Sequence, residues 1–444
     1  MASTYLTRTP SSATNRKTWT FSSWFKTADG SGGRFLVAST DASNAVDYAW
    51  GNNGEIYLGI YESGAWKEVI TNAKHRDVSA WYHLVIAVDT TQATASDRVK
   101  LYVNGNLQTS LATSNYPSIN YDTAINNNVI HRIGAYTNNG LNFNGSMSHI
   151  HFIDGTAYDA SAFGETDATT GEWKIKTSPS VTYGTNGFFI LKDGNSVTDQ
   201  SGNSNNWTVA GGTLTKTEDC PSNVYATWNP LATSTAYSGQ NAPTNGNTTF
   251  VSGETGTNYP TYTSTLGFSS GKYYFECKMG SSGGPGAMIG ISDQKQLSSF
   301  FGSGTYDYGY WGFNGNTYNN NSSSSYGNTF GNNDIIGCAV DLDNNKLYFH
   351  KNGTYQNSGV PTSGSTGTGA ISISAASATT TGFYFFTAGD AGDGDAPTIN
   401  ANFGNGYFGT TAVASAGTNA SGIGIFEYDV PTGYTALSTK GLNL

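Results

Sequence analysis

Three groups of side chains in this sequence have types and spacings that chemistry could use, and one carboxylate stands where a catalytic acid would. His149 and His151 lie two residues apart, so on a strand both rings would leave the same face. His131 on a neighbouring strand would complete a three-histidine set of the kind that holds zinc. The competing reading, a polar face on a half-buried strand, is the favoured one. The loop Asp390-Ala-Gly-Asp-Gly-Asp395 puts Asp390, Asp393 and Asp395 on turns that glycine permits, and clustered carboxylates suit calcium, an oxygen-seeking ion. No Glu stands at the twelfth position of an EF-hand loop there, and a solvated acidic turn is the alternative. The run Tyr306-Asp-Tyr-Gly-Tyr-Trp-Gly312, followed by a polar stretch over 316–325, offers aromatic faces beside amide groups. Tyr306, Tyr308, Tyr310, Trp311 and Asn316 are therefore candidate glycan-binding residues, since aromatic faces stack on sugar rings and amides bond their hydroxyls. Against this, Tyr308, Tyr310 and Phe313 could be strand residues packing a core. Glu276 has lysines on its own strand and no second carboxylate near it in sequence, so it reads as a solvent-face charge paired with Lys272 or Lys278 rather than as a general acid.

Other chemistries leave no trace. No Gly-x-Ser-x-Gly elbow, zincin helix or phosphate-binding loop occurs, so the chain is read as non-enzymatic. The net charge of −10 and the scattering of the 21 Lys and Arg argue against nucleic acid, whose binders present basic patches. No apolar stretch approaches the roughly 20 residues of a membrane helix, so membrane insertion is not expected. The first residues lack the apolar core of a signal peptide, so synthesis is expected in a reducing cytoplasm. Cys220, Cys277 and Cys338 are too few, and odd in number, for a disulfide framework. Cys277 and Cys338 fall on core-type strand positions and read as buried thiols.

The elements that must position these groups are strands. Of 444 residues, 12% are charged and 13% aromatic, with 56 Gly, so side chains that favour helix surfaces are scarce while those that suit pleated sheets and tight turns abound. Lys17–Lys26 alternates, with Trp19, Phe21, Ser23 and Phe25 on one face and Thr20, Ser22, Trp24 and Lys26 on the other. Trp81–Asp89 and Arg98–Val103 form two β-rich runs, and Asn104-Gly105 supplies the positive φ angles of a hairpin turn. Further strands are expected at 55–61, 129–135, 146–153 and 188–191. From residue 248 the pattern restarts: Tyr273, Phe275, Cys277 and Met279 alternate with Lys272, Tyr274, Glu276 and Lys278, and the runs 335–341 and 346–350 flank a polar turn. The segments AVDTTQATASDRVKLYVNG and AVDLDNNKLYFHKNG echo each other, by remote duplication or by convergence on one hairpin geometry. Many short strands with turn signals between them make the fold all-β, two tandem antiparallel sandwiches.

The motifs TWTFSSWFKT, WYHLVIAVD, VKLYVNG and GSMSHIHFIDG together resemble the laminin-G/pentraxin/concanavalin-A-like jelly roll over about residues 1–160. The motifs GKYYFECKM, MIGIS, IIGCAVDLDNNKLYFHKNG and FYFFTAG resemble a SPRY (B30.2-type) domain over about 245–444, leaving 161–244 as a connector with extra strands flanking the first sandwich. The opening YLTRTPSSATNRKTWTF and the closing DVPTGYTALSTKGLNL also resemble structural proteins of marine bacteriophages. The first resemblance implies a lectin-like sandwich that often binds carbohydrate or calcium at an edge. The second implies loops that dock protein or peptide partners. The carboxylate pattern Glu-x-Asp-x-x-Glu of laminarinase-like jelly rolls occurs nowhere here, against a secreted glycan hydrolase. The leading expectation is a virion surface protein, tail-associated or on the capsid, that contacts host-surface polysaccharide and sits on the particle as a homo-oligomer. The rival is a decoration or fibre protein whose domains dock on other virion structural proteins.

Overall fold

In the computed structural model the described residues are 4–28, 33–39, 46–192, 194, 196–232, 240–253, 259–294, 299–392 and 394–444. The chain is nearly all β, 40% strand and 5% helical, and divides into two compact units, Met1–Lys216 and Thr217–Leu444. Among the described residues no helix is long and apolar enough to cross a membrane.

The first unit begins with β1 (Tyr5–Arg8), β2 (Thr18–Thr27), β3 (Gly33–Ser39), β4 (Val46–Asn52), β5 (Glu55–Glu62) and β6 (Ala65–Thr71). It continues with β7 (Tyr82–Asp89), β8 (Val99–Val103), β9 (Asn106–Leu107), β10 (Leu111–Ser114), β11 (Ile130–Ile133) and β12 (Gly145–Asp154). Last come β13 (Gly164–Thr166), β14 (Trp173–Ile175), β15 (Phe188–Ile190) and β16 (Thr208–Gly211). An eight-stranded sheet of order β10-β6-β5-β4-β3-β11-β1-β16 faces a six-stranded one of order β15-β12-β2-β7-β8-β9. The inward alternation seen in sequence fills the space between them: Trp19, Phe21 and Phe25 on β2 and Leu84, Ile86 and Val88 on β7 meet Leu36, Leu58 and Ile60. The stretch 161–244 divides between the units. β15 and β16 join the two sheets of the first unit, while the chain from Thr217 onward, not from 245, belongs to the second.

The second unit contains β17 (Thr249–Val251), β18 (Thr261–Thr263), β19 (Lys272–Met279), β20 (Ala287–Ser292), β21 (Tyr308–Trp311), β22 (Asn316–Asn319) and β23 (Ser322–Ser325). After these come β24 (Ile335–Asp341), β25 (Lys346–Lys351), β26 (Thr354–Tyr355), β27 (Ile371–Ser372), β28 (Phe385–Asp390) and β29 (Thr398–Asn402). One sheet runs β17-β29-β19-β24-β25-β26 and the other β18-β28-β20-β21-β22-β23. Phe275, Cys277, Cys338, Val340 and Phe349 from the first pack on Ile289, Ile291, Tyr310 and Phe386 from the second. Both thiols are free and buried, as read from the sequence.

Each sandwich carries a third layer that alternation did not reveal. In the first unit, Tyr158, Ala160, Phe163, Trp173 and Tyr183 cover the outer face of the six-stranded sheet around Val85 and Ile153. In the second, Phe426, Val430, Tyr434 and Ala436 cover Tyr274, Ala339 and Tyr348 on the outer face of the β19–β24–β25 sheet. The central strands are therefore buried on both faces, and Trp24 and Glu276, expected toward solvent, are inside.

Candidate functional site

The alternation of β21 sorts the aromatic run. Tyr308 and Tyr310 point into the core, and Trp311 points out. Tyr310 is fully buried among Tyr326, Phe330 and Phe349, ring centroids 4.9–5.6 Å away, and its hydroxyl donates to the Asn328 carbonyl. Burial pushes that phenol well above its usual range. Tyr308 is buried with its Oη accepting the Ser374 N–H at 3.0 Å, and Tyr306 is half-buried against the same core. These three of the five candidate glycan-binding residues thus pack with the core, because the inner face of a sandwich sheet must be apolar and wide rings fill it.

Trp311 and Asn316 are on the outer face, together with residues the sequence did not single out as site residues. Trp311 stacks on Phe313 at 5.3 Å and meets Tyr318 edge-on at 5.4 Å. Phe313, for which a core place was the alternative to a binding role, is 54% exposed. Met288 and Phe301 form the buried floor, and Gly309 is needed between them, since a Cβ there would stand 2.4 Å from the Met288 Sδ. Asn314 donates its amide to the Tyr318 hydroxyl at 3.0 Å and accepts the Asn316 N–H at 2.9 Å. The Trp311 Nε1–H has no partner among the described residues. Asn320 and Asn321, with φ of 51° and 58°, turn β22 tightly into β23, whose four serines are exposed at the sheet edge.

The flanking loop is braced from inside. Buried Asp307 accepts from the Ser292 hydroxyl at 2.7 Å and from the Gly304 N–H at 2.9 Å, while Asn319 donates to the Thr305 and Asp307 carbonyls at 2.8 Å each. Burial raises the Asp307 carboxyl above its usual range, against the pull of those donors. The outer face around Trp311 thus offers rings, amides and hydroxyls, with no charged side chain among the described residues that form it, a surface suited to an uncharged, hydroxyl-rich ligand. The strict alternation of Tyr-Gly-Tyr-Trp was the sequence signal that separates Trp311 from the tyrosines.

The other candidates resolve differently. Asp390 is buried at the end of β28, accepting from the Ser252 hydroxyl and from the Gly392 N–H at 2.8 Å, so its oxygens hold the turn. Asp395 is half-buried against Gly284, and Asp393 lies outside the described residues. No group of three or more metal-ligating side chains is present among the described residues. The histidines do not meet either: His131 is in the eight-stranded sheet and His149 and His151 in the six-stranded one. A bulge between Ser148 and His151, with His149 at φ 48°, also breaks the expected alternation. His131 accepts the Asn126 N–H on Nε2 at 3.0 Å and donates from Nδ1 to the Val129 carbonyl at 2.8 Å, and burial pulls its pKa down to about 4. His151 stacks on Phe189 at 3.9 Å and bonds the Tyr183 hydroxyl at 2.9 Å. Both are neutral, buried packing residues.

Glu276 is the largest departure from expectation. It is fully buried, and its cross-strand neighbours in register are Gly337 on β24 and, beyond it, His350 on β25. A Cβ on Gly337 would stand 2.0 Å from the His350 Nε2, so glycine lets the imidazole lie across the sheet. His350 Nδ1 accepts the Gly353 N–H at 3.1 Å, which leaves the proton on Nε2, 2.6 Å from the Tyr274 hydroxyl. That hydroxyl donates to Glu276 at 2.8 Å, and Glu276 also accepts the N–H groups of Glu427 and Tyr428 at 2.9 Å each. Burial outweighs these donors and pushes the Glu276 pKa up to about 7, while it pulls His350 down to about 3. Lys272, expected as its partner, instead pairs with buried Asp341 at 2.9 Å.

Comparison with known proteins agrees with the two-part organisation. Residues 2–161 match the Concanavalin A-like lectin/glucanases superfamily, and residues 272–379 match the SPRY domain. Ran-binding protein 9 of Danio rerio is 38% identical over 86 residues, 19% of this chain and 14% of that protein. The Ran-binding proteins 9/10 homolog of Drosophila melanogaster is 39% identical over 88 residues, 19% of this chain and 9% of that protein. The chain therefore spans only a small part of the length of these relatives. Among solved structures, the SPRY domain of human HERC1 aligns with 39% of this chain and 96% of its own at 16% identity and a TM-score of 0.28. The two matched domain types give the chain a binding role, and they indicate no enzyme family.

Proposed function

We propose that the chain is a non-enzymatic virion surface protein whose second unit binds uncharged host-surface glycan on the outer face around Trp311. The observation that carries the ligand class is the make-up of that face. Its apolar surface carries the rings of Trp311, Phe313 and Tyr318, its polar groups among the described residues are amides and hydroxyls, and the Met288 and Phe301 side chains beneath are buried. Ring faces match the C–H faces of sugars, and the amides of Asn314 and Asn316 beside them suit sugar hydroxyls. The virion setting rests on the resemblance of the opening and closing motifs to bacteriophage structural proteins. There the chain's other partners are virion proteins, and display as a homo-oligomer raises avidity by about 10²–10⁴ over one site.

The test is binding of the purified chain to immobilised neutral polysaccharides. Retention that survives added salt and falls at least tenfold in Trp311→Ala, with unchanged folding, supports the reading. No retention at high protein density overturns it. The match to the SPRY domain favours a second reading, docking of a protein partner by the second unit. In that case Trp311→Ala and Phe313→Ala leave polysaccharide behaviour unchanged and weaken capture of a partner.

A further inference from the structure

The strand that opens the first unit carries a charge into the edge of the core. Leu6 on β1 points inward, and Arg8, two residues on, has the same parity, so its side chain enters between the sheets. It stands opposite His131 on β11. On the facing sheet Phe152 of β12 and Phe188 of β15 are register partners with rings stacked at 5.6 Å, and Trp207 meets Phe188 edge-on at 5.0 Å. These five side chains help to line a cavity of about 230 Å³.

Most polar groups around the cavity are already spent. His131 uses both ring nitrogens on the backbone, and burial keeps the ring neutral. Asn126 gives its amide N–H groups to the Asn15 carbonyl and to Asp154 at 2.7 and 2.6 Å, and Asn186 gives its own to Ser12, Thr14 and Asn126 at 2.9–3.0 Å. Two donors remain. The Trp207 side chain is only 4% exposed, and its buried Nε1–H has no acceptor among the described residues. The half-buried Arg8 guanidinium donates to the Asn186 carbonyl at 3.3 Å and to the Asn205 side-chain oxygen, which leaves other N–H groups of its fork over. Arg8 is the only ionised side chain lining the cavity, and among the described residues no carboxylate forms an ion pair with it. Asp199, the acid that acts on it from further off, is occupied by the N–H groups of Phe189, Ser201 and Asn205. A buried cation without a counter-charge is costly, and a bound anion relieves that cost.

We infer that this cavity is a seat for a short monocarboxylate, its oxygens taken by the Arg8 fork and the Trp207 N–H and its apolar stem packed on Leu36, Phe152 and Phe188. A planar guanidinium matches a carboxylate with parallel N–H groups, which makes this anion the fitting one. The apolar walls select an organic acid over a hydrated inorganic ion, whose water shell they cannot replace. The volume falls below the roughly 300–1,000 Å³ of clefts for drug-sized ligands, so the stem has few carbons. The site belongs to the first unit and stands independently of the glycan reading for Trp311.

The experiment follows the indole N–H resonance of Trp207 in the isotope-labelled whole chain, assigned by its loss in Trp207→Phe, during titration with propionate at constant ionic strength. The expected result is a saturable shift with propionate and none with propionamide, which has the shape without the charge. Arg8→Gln should weaken propionate binding at least tenfold. Arg8→Lys, which keeps the charge and loses the fork, serves as the second variant should Arg8→Gln misfold, and should weaken binding in the same direction. An equal shift with chloride marks an adventitious ion only and overturns the carboxylate reading, as does equal binding of propionamide. Binding that both Arg8 variants leave intact, or no saturable shift with propionate in the wild-type chain, overturns the site.

Discussion

Replacing Glu276 by Gln should change how stability depends on pH, and the size of the change follows from the burial of one carboxyl. In the folded chain Glu276 holds its proton up to about pH 7, whereas an unfolded Glu releases it near 4.5. Between those values the folded state binds one more proton than the unfolded state, so this group's contribution is full below pH 4.5 and is lost as pH rises through 7. An interval of about 2.5 pH units at ~1.4 kcal/mol each makes about 3 kcal/mol. His350 acts with the opposite sign. Its folded pKa of about 3 lies below the ordinary 6.5, so its contribution is full above pH 6.5 and is lost as pH falls toward 3. From 4.5 to 6.5 the two slopes cancel, and the wild-type chain shows little dependence from this pair. Gln cannot titrate. Its amide meets the Glu427 and Tyr428 N–H groups with an offset of its own, but that offset is constant in pH. Urea unfolding of both proteins from pH 4.5 to 7.5 should therefore show the variant gaining on the wild type by about 3 kcal/mol across the range. Parallel curves, differing by the same amount at every pH, would refute the reasoning.

The Tyr310→Phe variant removes a buried hydroxyl from the Asn328 carbonyl and should lower stability by about 1 kcal/mol in urea unfolding while leaving polysaccharide retention intact. Lost retention with unchanged stability would mean that Tyr310, not Trp311, meets ligand. Gly337→Ala drives a methyl into the His350 ring and should destabilise the second unit by about 1–3 kcal/mol, read from the shift of its unfolding midpoint. In the first unit His83, His131 and His151 are all held neutral by burial, with pKa values of about 3 for His83 and about 4 for His131. Stability there is full above pH 6.5 and falls as pH drops below it, by ~1.4 kcal/mol per pH unit for each histidine the unfolded chain protonates. NMR of the three imidazoles should find them neutral at pH 5 in the folded protein, and a titration near 6.5 would contradict their burial.

Much of the sandwich architecture was legible because a core between two sheets writes itself as alternation. Trp19, Phe21 and Phe25, and Tyr273, Phe275 and Cys277, are inside as their spacing required. What alternation cannot report is a covering layer contributed from far along the chain. Glu276 and Trp24 occupy the polar parity of their strands and looked solvated. The segments that bury them lie more than 100 residues downstream in both cases: Glu427 and Tyr428 bond Glu276, and Trp173 bonds the His83 ring on which Trp24 stacks. The same limit applied to the binding face. Parity alone separates Trp311 from Tyr308 and Tyr310, but only the three-dimensional pairing of β21 with β22 brings Tyr318 beside it. The zinc alternative for the histidines failed because His131 lies in the opposite sheet and because a bulge between Ser148 and His151 shifts parity without any composition signal.

The third layers also decide where this chain can be divided. Cut at residue 161, at the end of the matched lectin-like region, the first half would lose Trp173, whose indole N–H donates to His83 at 3.0 Å, and Tyr183, the partner of His151. Cut at 379, the second would lose the N–H donors of Glu427 and Tyr428 and leave Glu276 and Tyr274 facing water on a bare apolar sheet. Fragments drawn at the limits of family similarity would be sticky and prone to self-association. Fragments 1–216 and 217–444 keep each covering segment with the sheet it shields, and are the ones to express separately.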